Sequence, residues 1–134
     1  MTPRKGMPSP WGQVDSIEQI GEGIWWVGTP SHGGLLVDLD QHPDAASALE
    51  GRTCSHRWDR AGWWEEDMDY AYAVLACPAV AAAMAASRYA NGPQGFGRYP
   101  WTVEEQVADA RRIVATAERW AAERKAESVG PSPL

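Results

Sequence analysis

The stretch GIWWVGTPSHGGLLVDL, Gly23 to Leu39, decides the fold. Ile24 to Thr29 is β-branched and aromatic, the composition of a buried strand. Leu35 to Leu39 is a second such run. Between them, PSHGG has the residues of a tight turn, and its two glycines leave room for another group to approach closely. Upstream, Val14 to Ile20 alternates imperfectly between apolar and polar residues and reads as a strand. Gly21 to Gly23 is hairpin punctuation. The first third is therefore expected to be a three-stranded antiparallel meander.

Beyond it the period changes from two to nearly four. His42 to Gly51 reads as one or two helical turns ended by glycine. Arg52 to Gly62 has no period and reads as a loop. From Trp63, the spacing of Trp64, Met68, Ala71/Tyr72 and Leu75 predicts a helix. Glu65, Glu66 and Asp67 would lie in its first turn, favoured by the positive end of the helix dipole. Pro78 ends this helix or starts the next, and Ala79 to Ala90 is rich in a strong helix former. Asn91 to Pro100 is a glycine- and proline-rich loop. The last helix carries a capping box, Thr102 and Glu105. Its apolar stripe is Val103, Val107, Ala110, Val114, Ala117 and Ala121, widened by Ile113 and Trp120.

The expected architecture is α+β: a meander packed against three helices, with a long C-terminal helix as the main lid. Residues 1–10 are expected to form a flexible arm, residues 11–127 one globular domain and residues 128–134 a fraying tail. A chain of 134 residues supports one modest core. Eight tryptophans against one phenylalanine point to a Trp-built core with some indole left for binding.

The net charge of −6, from 18 acidic and 12 basic residues, argues against a nucleic-acid partner. No apolar run is long enough for a membrane span and the start lacks a signal peptide's apolar core, so a cytoplasmic location is expected. Cys54 and His56 make one C-x-H pair, with His32 and His42 elsewhere. Structural zinc uses four ligands, commonly as two close pairs, so neither metal nor cofactor is expected.

Two segments carry candidate chemistry. The first is the histidine corner, Thr29 to Gly34. Adjacent residues on a strand point to opposite faces, so Ser31 and His32 do not form a dyad. The second is WWEEDMD, Trp63 to Asp69. A carboxylate packed against indole has a raised pKa and serves as acid or base.

Taken together, SPWGQVDSIEQIGEGIWWVGTPSHGG (Ser9–Gly34) and GWWEEDMDYAYAVLACP (Gly62–Pro78) resemble an uncharacterised domain family carried by bacteriophages, plasmids and other mobile elements. Pro10, Trp11 and Gly12 match its opening, and Gly23 and Ile24 its Gly-Ile step. Thr29 to Gly34 match its corner. Gly62, Trp63, Glu65, Glu66, Asp67 and Asp69 match its acidic segment. Trp64, Met68 and Tyr70 stand where the family has tyrosine, cysteine and tryptophan, so a cysteine nucleophile is not available there. The resemblance covers about residues 8 to 78 and implies a mobile-element origin, not a reaction.

Motifs that travel together often meet in space. His32 is therefore expected to hydrogen-bond Glu65, Glu66 or Asp67, with Trp11 and Trp63 packed around them. Three functions follow. The first is an accessory protein that binds a host or defence factor, using Trp11, Ser31, Gly33, Gly34, Trp63 and Trp64. The second is a small hydrolase or transferase in which His32 works with Glu65, Glu66 or Asp67. The third is a homodimer formed through the C-terminal helix. The first is favoured, with the His–acid meeting point closed as a strut.

Overall fold

A computed structural model describes residues 2–49, 62–87 and 101–129. The fold is α+β, as the periodicities require. A two-stranded hairpin comes first, β1 (Pro8–Ser9) with β2 (Gly12–Gln13). The main sheet then takes β3 (Ser16–Gly21), β4 (Ile24–Gly28) and β5 (Gly33–Val37) as an antiparallel meander. A 3₁₀ helix follows at Pro43–Leu49. The meander is extended by a fourth strand, β6 (Trp63–Glu65), paired antiparallel with β5. Three α-helices follow among the described residues: α1 (Asp69–Ala76), α2 (Pro78–Ala86) and α3 (Val103–Val129). The expected loops at Arg52–Ala61 and Asn91–Pro100 lie outside the described residues, as does Gly51.

The fourth strand corrects the helix expected from Trp63. Trp63 and Trp64 alternate across the sheet, and both faces of the sheet are covered, so both indoles are buried. That burial outweighs the helical spacing of the neighbouring apolar residues. Gly62 makes the entry to β6 possible: its φ is +92°, a left-handed value that suits glycine, and a side chain there would collide with the Val37 carbonyl.

Period two sorts the strands into two cores. Ile24, Leu35, Val37 and Trp64 face the helices, together with the half-buried Trp26. Trp25, Val27, Leu36 and Trp63 face the other way, beneath Val14, Met7, Trp11 and Ile17. The segment marked by the sequence as an arm thus contributes β1 and covers the second face. Backbone bonds from Gly6 N–H to the Val14 carbonyl (2.7 Å) and from Val14 N–H to the Met7 carbonyl (2.9 Å) hold it there.

On the helical side, α1 is the hub. Asp69 through Val74 are all buried, so the helix has no solvent stripe until Leu75, the residue assigned to its core face from spacing. Cys77 has extended backbone (φ −130°, ψ 105°) because the ring of Pro78 disfavours helix in the residue before it. The chain turns by 118° there and α2 begins with Pro78 at its first position. The stripe of α3 packs inside the chain, with Ala110 and Ala117 buried and Val107, Ile113 and Val114 seated on the helical core. Val103 and Trp120 stay exposed. No single helix among the described residues is long and apolar enough to cross a membrane.

The capping box at α3 is formed as read. Thr102 N–H donates to Glu105 Oε1 at 2.9 Å, and Glu105 N–H donates to Thr102 Oγ1 at 3.1 Å. Thr102→Ala is expected to destabilise the protein by about 0.5–2 kcal/mol in urea unfolding, with Thr102→Ser close to neutral.

Candidate functional site

The turn between β4 and β5 is built by Thr29. Its N–H donates to the His32 carbonyl at 2.7 Å. Its Oγ1 donates to the same carbonyl at 2.7 Å and accepts from His32 N–H at 3.2 Å. Pro30 and Ser31 form the tip. The tip is tied to the N-terminal hairpin, because Thr29 and Ser31 hydroxyls both lie within reach of the Trp11 carbonyl, at 3.3 and 3.4 Å.

Pairing of β5 with β6 brings the two sequence motifs side by side. Gly34 opposes Glu65, Leu35 opposes Trp64, and Leu36 opposes Trp63. Glu66 N–H extends the ladder to the Gly33 carbonyl at 3.0 Å. Along β5, His32 lies two residues before Gly34, and along β6 Glu65 lies two residues after Trp63. Alternation therefore places His32, Gly34, Glu65 and Trp63 on one face, the one covered by Trp11. Trp11 and Trp63 meet edge to face, with ring centroids 5.7 Å apart. A side chain on Gly34 would strike the Trp64 carbonyl and come within 2.8 Å of the Trp11 ring.

His32 Nδ1 stands 3.9 Å from Glu65 Oε1, so the two groups meet electrostatically and without the expected hydrogen bond. The corner is open: the His32 side chain is 50% exposed and that of Glu65 is 35% exposed. It is not a closed strut. Asp67 joins the pair, and one ligand atom from each of His32, Glu65 and Asp67 lies within 4.8 Å of the others. Partial burial pushes the Glu65 carboxyl up from its ordinary pKa. A hydrogen bond with Asp67 and the negative charges of Asp67 and Asp69 add to this, while His32 opposes it. Two hydrogen-bonded carboxyl groups, Glu65 and Asp67, thus stand beside an imidazole.

The remaining residues singled out in the sequence fall around this group. Glu66 points its backbone into the ladder, and its Oε2 lies 3.4 Å from the place of a Gly33 Cβ. Trp63 is 4% exposed and shapes the corner from beneath, whereas Trp64 is fully buried in the helical core on the opposite face of the sheet. On the far side of the 66–68 turn, a cleft of about 240 Å³ is lined by Asp67, Met68, Arg112, Ile113 and Thr116. Arg112, at its rim, pairs with Asp109. The Cys54–His56 pair lies outside the described residues. A second cluster went unread in the sequence, His42 with Asp44 and Cys77. His42 and Asp44 stand two residues apart at the start of the 3₁₀ helix, an H-x-D spacing the sequence shows, while Cys77 joins them from the α1–α2 junction.

A family model for a domain of unknown function, DUF7007, matches residues 4–127. The chain belongs to the DUF7007 family. The match runs well beyond residues 8–78 and takes in α2 and most of α3. No curated protein and no solved structure matches the chain.

Two measurements check this geometry. Gly34→Ala is expected to cost about 1–3 kcal/mol or more in thermal or urea unfolding, the range of forced overpacking. The raised pKa of Glu65 fixes the sign of a pH effect. An unfolded glutamate loses its proton near 4.5, and the folded one holds it to higher pH. Its contribution to folding is therefore fully present below 4.5 and is lost as pH rises through the folded value. Glu65→Gln should flatten the fall of stability across that window, and a variant with the wild-type slope would contradict it.

Proposed function

We propose that this DUF7007 protein is an accessory protein of a bacteriophage or other mobile element, working in the cytoplasm by binding another protein. The His32 corner is its contact point. The observation that supports this reading is the open cluster of His32, Glu65 and Asp67, carried on a rigid sheet end beside Trp11. Two carboxylates and an imidazole suit a lysine or arginine side chain of the partner. The net charge of −6 would speed encounter with a basic surface. Tryptophan at the rim is a frequent anchor of protein interfaces. A host or defence factor is the partner class that a mobile element would meet.

One observation favours a second reading, a small hydrolase or transferase. A carboxyl whose pKa is raised by partial burial, set beside an imidazole, is the arrangement of an acid–base pair. It lacks a nucleophile among the described residues of the corner, since the Ser31 hydroxyl is turned to the Trp11 carbonyl. Binding is therefore the stronger reading. Self-association through the exposed Val103 and Trp120 of α3 remains a third use of the surface.

The test is affinity capture from a carrier host, followed by rebinding with the purified partner. His32→Ala and the double variant Glu65→Gln/Asp67→Asn are expected to weaken rebinding at least about tenfold while circular dichroism stays unchanged. An unaltered affinity in both variants would remove the corner from the interface. Wild-type capture that yields only the chain itself would favour self-association.

A further inference from the structure

The second polar cluster lies at the opposite end of the β4–β5 hairpin, one strand length or roughly 17 Å from the His32 corner. There, a ring nitrogen of His42, a carboxylate oxygen of Asp44 and Sγ of Cys77 all lie within 4.8 Å of one another. Burial grades across the group. Asp44 is exposed, His42 is half-buried and Cys77 is completely buried at the floor.

Each member is held by something outside the group. His42 Nε2 lies 2.6 Å from the Glu22 carbonyl. A carbonyl only accepts, so Nε2 is the donor in this contact, and the tautomer that leaves the lone pair on Nδ1 is the one it selects in a neutral ring. This is the outer contact that metal-binding histidines habitually make, and it fixes both ring orientation and tautomer. His42 N–H also donates to the Asp38 carbonyl at 2.9 Å. Cys77 is pinned by the pre-proline break, with its N–H on the Ala73 carbonyl at 3.0 Å and its carbonyl accepting from Ala81 N–H at 3.1 Å. Asp44 sits in the first turn of the 3₁₀ helix.

We propose that His42, Asp44 and Cys77 form a binding site for a divalent cation of borderline softness, of which zinc is the type. A thiolate, an imidazole and a carboxylate are the three ligand types that zinc accepts. In a tetrahedral site with ligand bonds of ~2.0–2.3 Å the ligand atoms stand roughly 3.5 Å apart, so the observed spread closes with small rotamer changes. Asp44, on the exposed side, leaves the fourth position to water. On binding, the sulfur exchanges its proton, which leaves to solvent, for the metal. Without metal, burial and the nearby Asp44 carboxylate keep the thiol protonated, its pKa raised. Hard cations such as magnesium would not favour the sulfur.

The test uses the full chain carrying Cys54→Ser, so that the other cysteine contributes nothing. Co²⁺ serves as the optical probe. Titration is expected to produce a thiolate-to-cobalt charge-transfer band that saturates at one equivalent and is displaced by Zn²⁺. Adding Cys77→Ser should abolish the band, and His42→Ala should weaken Co²⁺ binding about tenfold or more. His32→Ala should leave it unchanged, which separates this site from the interface proposed above. Absence of the band, or its survival in the Cys77→Ser chain, overturns the proposal. Should Cys77→Ser disturb the far-ultraviolet circular dichroism, His42→Ala decides alone, and an unchanged affinity then overturns it.

Discussion

The structure depends on one close approach, the pairing of β5 with β6 across Gly34. At that position the neighbouring strand's Trp64 carbonyl and the Trp11 ring occupy the space that any side chain would need. With hydrogen at Cα, the ladder closes and continues to Gly33 and Glu66. With it closed, a strand some thirty residues downstream is locked in one register. A slip by one residue would exchange Trp63 with Trp64 across the sheet and carry Glu65 to the helical face. The site is thus a consequence of register. Glu65 and Asp67 stand beside His32 because Leu36 stands opposite Trp63.

The tryptophans serve the same constraint. A small sheet buried on both faces has few positions, and each must fill much space. Trp25 and Trp63 fill the face under the N-terminal hairpin, and Trp64 fills the face under α1. Indole covers more area per residue than any other side chain, which matters in a chain with a single phenylalanine. The hairpin β1–β2 then acts as the lid of one layer. Its Trp11 is at once a core residue, through Trp63, and a wall of the open corner. The helices close the other layer around α1, whose buried circumference leaves little freedom for its two neighbours.

The sequence carried the meander plainly, because Ile24 to Val37 combines β-branched and aromatic runs with turn glycines. The capping box made α3 equally legible. The strand β6 was hidden. It is three residues long, and WWEED followed by an alanine-rich segment has the composition of a helix start. What makes it a strand is the partner β5 and the cover on both faces, and neither is local. The meeting of His32 with the acidic segment was readable only because the two motifs belong together. Its openness was not, since exposure depends on how far the hairpin tip projects past Trp11. Cys77, His42 and Asp44 were invisible as a group. The pre-proline break that sets the Cys77 backbone is written in the sequence, but its neighbours arrive from the far end of the sheet.

The two ends of the β4–β5 hairpin therefore hold polar clusters of different character. Each contains a histidine and a carboxylate. The third member separates them. At the His32 end it is a second carboxylate, and the group is open to water, so charge is cheaply solvated and the cluster is suited to meet a cation that a partner presents and withdraws. At the His42 end it is a buried thiol at a helix junction, beneath a half-buried imidazole and an exposed carboxylate, where a bound cation would trade part of its water for fixed ligands. Under the two proposals, the difference between reversible recognition at one end and retained binding at the other rests on burial, given the same imidazole and carboxylate in both.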